Sequence, residues 1–94
     1  MCNEWKFKDS KNTAVITNND IISGNTTITY VFHDESDGIW QFLDNGVCSE
    51  ENARIVSLKE ITELDNSILS LYDLPRGYMA YRKTRQDKWR IKKA

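Results

Sequence analysis

The chain is poor in the residues from which small catalytic and metal sites are built. Its 94 residues include two cysteines, one histidine, one proline and four glycines. So little Pro and Gly argues against a disordered or low-complexity chain. No stretch approaches the roughly 20 apolar residues of a membrane span, and the opening Met-Cys-Asn-Glu-Trp-Lys has no apolar run of the kind a signal peptide needs. A cytoplasmic protein with no membrane partner is therefore expected. In a reducing compartment Cys2 and Cys48 are expected to be free thiols rather than a bridge, and Cys2 lacks the upstream apolar segment of a lipid anchor.

The same scarcity bears on chemistry. His33 stands beside Asp34 and Glu35, but without a second His or a paired Cys the ligands of a structural zinc site are missing. It reads as a surface residue at a strand end. Asp34, Glu35 and Asp37 lack the Gly and closing Glu of a calcium loop. Cys48 lies in Gly46-Val-Cys-Ser-Glu-Glu, where the acids disfavour the thiolate that a nucleophile requires. Ser49, Ser57 and Ser67 sit in no Gly-x-Ser-x-Gly elbow. No enzyme, no metal and no cofactor are expected.

What the chain does have is a globular core in prospect. Three Trp, four Tyr and three Phe, with 39% hydrophobic residues overall, suffice for one domain spanning residues 1–94 and not for two. Tyr30 and Phe32 alternate with Ile28, and Trp40 alternates with Phe42, the period of a strand. Asp37-Gly38 between them supplies a turn. These segments, with Thr13–Thr17, Ala53–Val56, Tyr78–Lys83 and Trp89–Lys92, predict an antiparallel sheet of five or six strands, the first neighbouring the second. The four rings of Tyr30, Phe32, Trp40 and Phe42 are expected in the core. Asn45-Gly46 reads as the turn that closes the Trp40 strand.

Ser57-Leu-Lys-Glu60 has the spacing of a capping box, so a helix is expected from there. Asp65-Asn-Ser offers a fresh N-cap, and Pro75 and Gly77 stop the second helix. Two short helices thus precede a C-terminal hairpin, an α+β domain.

Net charge is −1, but its distribution is uneven. From Asp34 to Asp65 there are nine acids against Arg54 and Lys59; from Arg76 to Lys93 there are eight bases against Asp87. Arg82, Lys83, Arg85, Lys88, Arg90 and Lys92 cluster around Tyr81 and Trp89, and these six form the candidate binding surface. Trp89 and Ile91 are expected to face the core, with Arg90 and Lys92 in water.

The tracts Tyr30-Val-Phe-His-Asp-Glu, Asp37-Gly-Ile-Trp-Gln-Phe-Leu, Val56-Ser-Leu-Lys-Glu-Ile and Asp73-Leu-Pro-Arg-Gly-Tyr give the chain a likeness. It resembles the bacterial immunity-protein-33-like domain from about Thr13 to Trp89, most distinctively in the Trp40-x-Phe42 strand and in Leu74-Pro75-Arg76-Gly77 leading to Arg82. Where such sequences often carry Pro after the mid-helix Asp, this chain has Asn66. The resemblance implies an α+β fold and a role protecting a bacterium from a toxin of its own or of a neighbour; it carries over no catalytic residue. The expected function is a non-enzymatic protein-binding module, and the alternative is a small nucleic-acid-binding or regulatory module that uses the basic hairpin.

Overall fold

The computed structural model describes residues 5–44 and 51–94, and within them an α+β domain is built on one six-stranded sheet. The strands are β1 (Ala14–Asn18), β2 (Tyr30–His33), β3 (Trp40–Leu43), β4 (Ala53–Ser57), β5 (Tyr78–Tyr81) and β6 (Arg90–Lys93). Their order across the sheet is β4-β1-β3-β2-β5-β6.

The pairing departs from a simple meander. β1 does not neighbour β2; it runs parallel to β3 and antiparallel to β4. All other pairs are antiparallel. A buried side-chain bond fastens the parallel pair, as the Thr17 hydroxyl donates to the Phe42 carbonyl at 2.8 Å. Such a contact links residues far apart in sequence, so no local pattern announces it. Cys2, Cys48, Ser49 and the turn Asn45-Gly46 lie outside the described residues.

The helices form where their caps direct. The first, α1 (Asn19–Ile22), starts on Asn18, whose side-chain oxygen accepts from the Ile21 amide at 2.9 Å. The second, α2 (Leu58–Leu64), carries the full capping box: the Glu60 amide donates to Ser57 Oγ at 3.1 Å and the Ser57 amide to Glu60 Oε1 at 3.2 Å. Asp65 then caps a 3-10 helix, Asn66–Leu71, by accepting from the Ser67 amide at 3.0 Å. Capping satisfies backbone donors that a helix start leaves without an intrahelical partner.

All three helices contribute to one core on one side of the sheet. Ile21, Leu58, Ile61, Ile68 and Leu71 pack with Phe7, Val15, Val31, Trp40, Phe42 and Ala80. Strand alternation then assigns the faces. Val31 opposes Phe42 and Ala80 in the ladders, and all three are fully buried. Tyr30 and Phe32 therefore point to the opposite face, where both are only half-buried. Their expected place in the core is corrected: Trp40 and Phe42 are core, Tyr30 and Phe32 are not. Ile28 is buried, but it precedes β2 and so does not share the alternation of Tyr30 and Phe32. Ile91 is also corrected, since it pairs with Ala80 on the core side of the sheet yet is 54% exposed. It lies on an edge strand whose residues are all exposed.

Candidate binding face

The face on which no described helix packs can be read row by row from the strand registers. One row runs Ile55, Ile16, Gln41, Phe32, Met79, Lys92; the next runs Leu43, Tyr30, Tyr81, Arg90. None of these residues belongs to the main core cluster, but Leu43 and Met79 are themselves buried. Aliphatic side chains at the β4 side thus give way to aromatic rings and then to cations at the β6 side. The Tyr30 and Phe32 rings are nearly parallel, 6.4 Å apart. Lys92 Nζ sits 5.4 Å from the centre of the Tyr81 ring, within the range of cation–π attraction.

Of the six candidate cations, five are exposed and one is not. Arg82 retains only 5% of its exposure, so its place on a basic surface is corrected. Its Nε and Nη2 donate to the Ile28 carbonyl at 3.0 and 2.9 Å, Nη2 to Asp65 Oδ2 at 2.7 Å, and Nη1 to Ser67 Oγ at 2.9 Å. The guanidinium also lies 4.1 Å from the centre of the Trp89 ring. A charge so buried is tolerable because it is paired and its donors are occupied. The alternation Tyr78, Ala80, Arg82 carried the signal, for it puts Arg82 on the core side.

Lys83, Lys88 and Arg90 meet Tyr30 and Tyr81 around a cleft of about 570 Å³. Asp87 is the one acid on its lining, and its carboxylate accepts from the Thr84 amide at 3.0 Å within the hairpin turn. Arg85 does not join this group. It approaches Asp65 at 3.7 Å and lines a separate cleft with Trp89 and Ile91.

At the other end of the same face, a second cleft of about 390 Å³ is lined by Phe32, Gln41 and Leu43 and rimmed by Asp34 and Glu35. Asp34 Oδ1 accepts from the amide and hydroxyl of Ser36 at 2.8 and 2.7 Å. Those bonds hold its carboxyl below the ordinary carboxylate value, with the Ser36 hydroxyl contributing most. Sequence reasoning did not join Tyr30, Phe32 and the acidic turn to the hairpin, because only the β2·β5 pairing brings them onto one surface.

His33 is a structural residue rather than the surface residue expected. Its ring stacks on Trp40 with centroids 3.9 Å apart, and Nδ1 donates to the Leu74 carbonyl at 2.7 Å. Trp40 in turn donates from Nε1 to Asp9 Oδ2 at 2.7 Å. Among the described residues no group of three His, Cys, Asp or Glu side chains is placed to hold a metal ion, and no helix is long and apolar enough to cross a membrane.

Comparison with known proteins gives no match to a family model, a curated protein or a solved structure.

Proposed function

We propose that this domain is a non-enzymatic protein-binding module whose working surface is the helix-free sheet face. The observation that carries the reading is the set Ile16, Phe32, Tyr30 and Tyr81, half-buried apolar and aromatic side chains that lie outside the main core cluster. Aromatic residues are enriched at the anchors of protein interfaces. A toxin is the partner implied by the likeness to the immunity-protein-33-like domain, and occlusion is then the mechanism, since a sheet face can cover a standard interface of roughly 1,200–2,000 Å² in total with few moving parts.

The test is capture from an extract of the source cells on immobilised wild type, Phe32→Asp and Tyr81→Asp, with near-UV circular dichroism as the check on folding. Folded variants are expected to lose the captured protein. Undiminished capture by both would remove this face as the interface.

A second reading, single-stranded nucleic acid, draws on the cleft where Tyr30 and Tyr81 meet Lys83, Lys88 and Arg90, because bases stack on aromatic rings beside cationic grooves. Two features count against it. Lys92 already occupies the vicinity of the Tyr81 ring, and Asp34 and Glu35 line the next cleft along the face.

A further inference from the structure

The helix-free face carries its charge in two separate places. Lys83, Lys88 and Arg90 rim the cleft at the Tyr30 end of β2, while Asp34 and Glu35 rim the cleft just beyond His33, where β2 ends. Residues 30 and 34 are about 13 Å apart along an extended chain, at ~3.3 Å per residue. Between them lie Phe32 and its cross-strand neighbours Gln41 and Met79. Among the described residues both ion pairs within 4 Å involve Asp65, on the core side. Asp87 is the acid on the cationic cleft and the Arg76 guanidinium packs against Gly38 of the acidic turn, yet among the described residues none of Lys83, Lys88, Arg90, Asp34 and Glu35 enters an ion pair.

We propose that the face receives an extended, charge-segregated segment of a protein partner: acidic residues against Lys83, Lys88 and Arg90, an apolar centre over Phe32, and basic residues against Asp34 and Glu35. The proposal rests on the protein-binding reading above and adds to it the chemistry of the partner. Complementary potentials set register and reject wrong partners. The separation of sign is what favours a polypeptide. A nucleic acid strand presents a negative charge at every nucleotide, so one that filled the first cleft would bring phosphates to Asp34 and Glu35. A peptide can change sign within 13 Å.

A phage-displayed random dodecamer library selected on the wild-type protein tests this. The selected peptides are then resynthesised and titrated against wild type, Lys83→Glu/Arg90→Glu and Glu35→Lys, all at exposed positions. Enriched peptides are expected to hold acids on one side and bases on the other of an apolar centre. Each reversal should weaken binding about tenfold, as like charges are brought together. Exchanging acids for bases in the peptide should restore affinity for the triple variant Glu35→Lys/Lys83→Glu/Arg90→Glu.

Peptides without charge segregation, or bound equally by the reversed variants, overturn the proposal while leaving the sheet face standing if Phe32→Asp still abolishes their binding. Absence of any enriched peptide overturns it too. If, in addition, a labelled oligothymidylate of 12 nucleotides binds wild type at physiological salt and not Lys83→Glu/Arg90→Glu, the protein-binding reading falls with it.

Discussion

Arg82 Nη2 lies 2.7 Å from Asp65 Oδ2, and the two side chains retain 1% and 5% of their exposure. The pair ties the start of the 3-10 helix to the end of β5. Through the Ile28 carbonyl it also holds the segment that leads into β2. Arg82 therefore braces β2 and β5 from the core side of the sheet.

Removing either partner leaves a buried charge uncompensated, which costs about 3–5 kcal/mol. Arg82→Ala is expected to lower the urea midpoint accordingly, while Lys83→Ala, one residue on and exposed, stays within about 0.5 kcal/mol of wild type. Equal midpoints for the two variants would show that Arg82 is not held in this network.

The same pair makes stability depend on pH. Burial raises the Asp65 carboxyl, but the bonds from Ser67 and the Arg82 guanidinium outweigh it and hold the value below the ordinary 3.8. A carboxyl lowered in the folded state contributes stability that is fully present above the unfolded value near 4 and is lost as pH falls through the folded value. Thermal melts are expected to lose midpoint steeply below about pH 4. Asp65→Asn should be less stable at pH 7 and shallower in that acid limb.

β2 offers a direct test of the two faces. Val31 is buried and Phe32, its neighbour, is half-buried on the other side. Val31→Ala is expected to cost about 1–3 kcal/mol, because it opens a cavity under Phe42 and Ala80. Phe32→Ser should cost about 1 kcal/mol or less. The opposite ranking in urea melts would mean that the register of β2 is shifted by one residue.

Trp40 is almost fully buried, between His33 on one side and Phe7 on its edge. Trp40→Ala is expected to cost about 3–5 kcal/mol. Trp40→Phe keeps much of the apolar area but strands the Asp9 carboxylate that Nε1 serves, so an intermediate loss is expected. A variant with the wild-type urea midpoint would contradict the packing.

Local signals in the sequence were legible where the structure is local. Ser57 with Glu60 marks the start of α2, and Asp65 marks the break before the 3-10 helix, because a cap is made by residues two or three apart. The hairpin turn at Thr84–Asp87 closes as its residues suggest, with the Asp87 amide donating to the Thr84 carbonyl at 3.1 Å. The α1 turn was missed; Asn18 is its cap, but four residues give too little periodicity to announce a helix.

The strand order was not legible, since the β1·β3 pairing depends on a contact 25 residues apart, such as Thr17 with Phe42. Nor was the candidate face. Tyr30 and Phe32 alternate as any buried pair would, and only the absence of a described helix over them distinguishes the two sides of the sheet. Counting bases along the hairpin grouped Arg82 with Lys83, although alternation puts them on opposite faces.

Ionic strength separates the two readings of that face. A nucleic-acid complex held by Lys83, Lys88 and Arg90 loses affinity linearly on a log–log salt plot, with a slope near −0.7 per neutralised phosphate of a single strand. A protein complex anchored on Phe32, Tyr30 and Tyr81 is expected to weaken only modestly between 50 and 200 mM salt, in arithmetic set by its apolar anchors. Surface plasmon resonance of the captured partner across that range decides between them.

The central claim, that the helix-free face of the sheet is where a partner sits, is tested most directly by amide hydrogen exchange on the complex with the captured protein. Protection is expected to rise in peptides covering Tyr30–His33, Trp40–Leu43 and Tyr78–Tyr81, with α2 and the 3-10 helix unchanged. New protection confined to Leu58–Leu71, with those strands unaltered, would contradict the account.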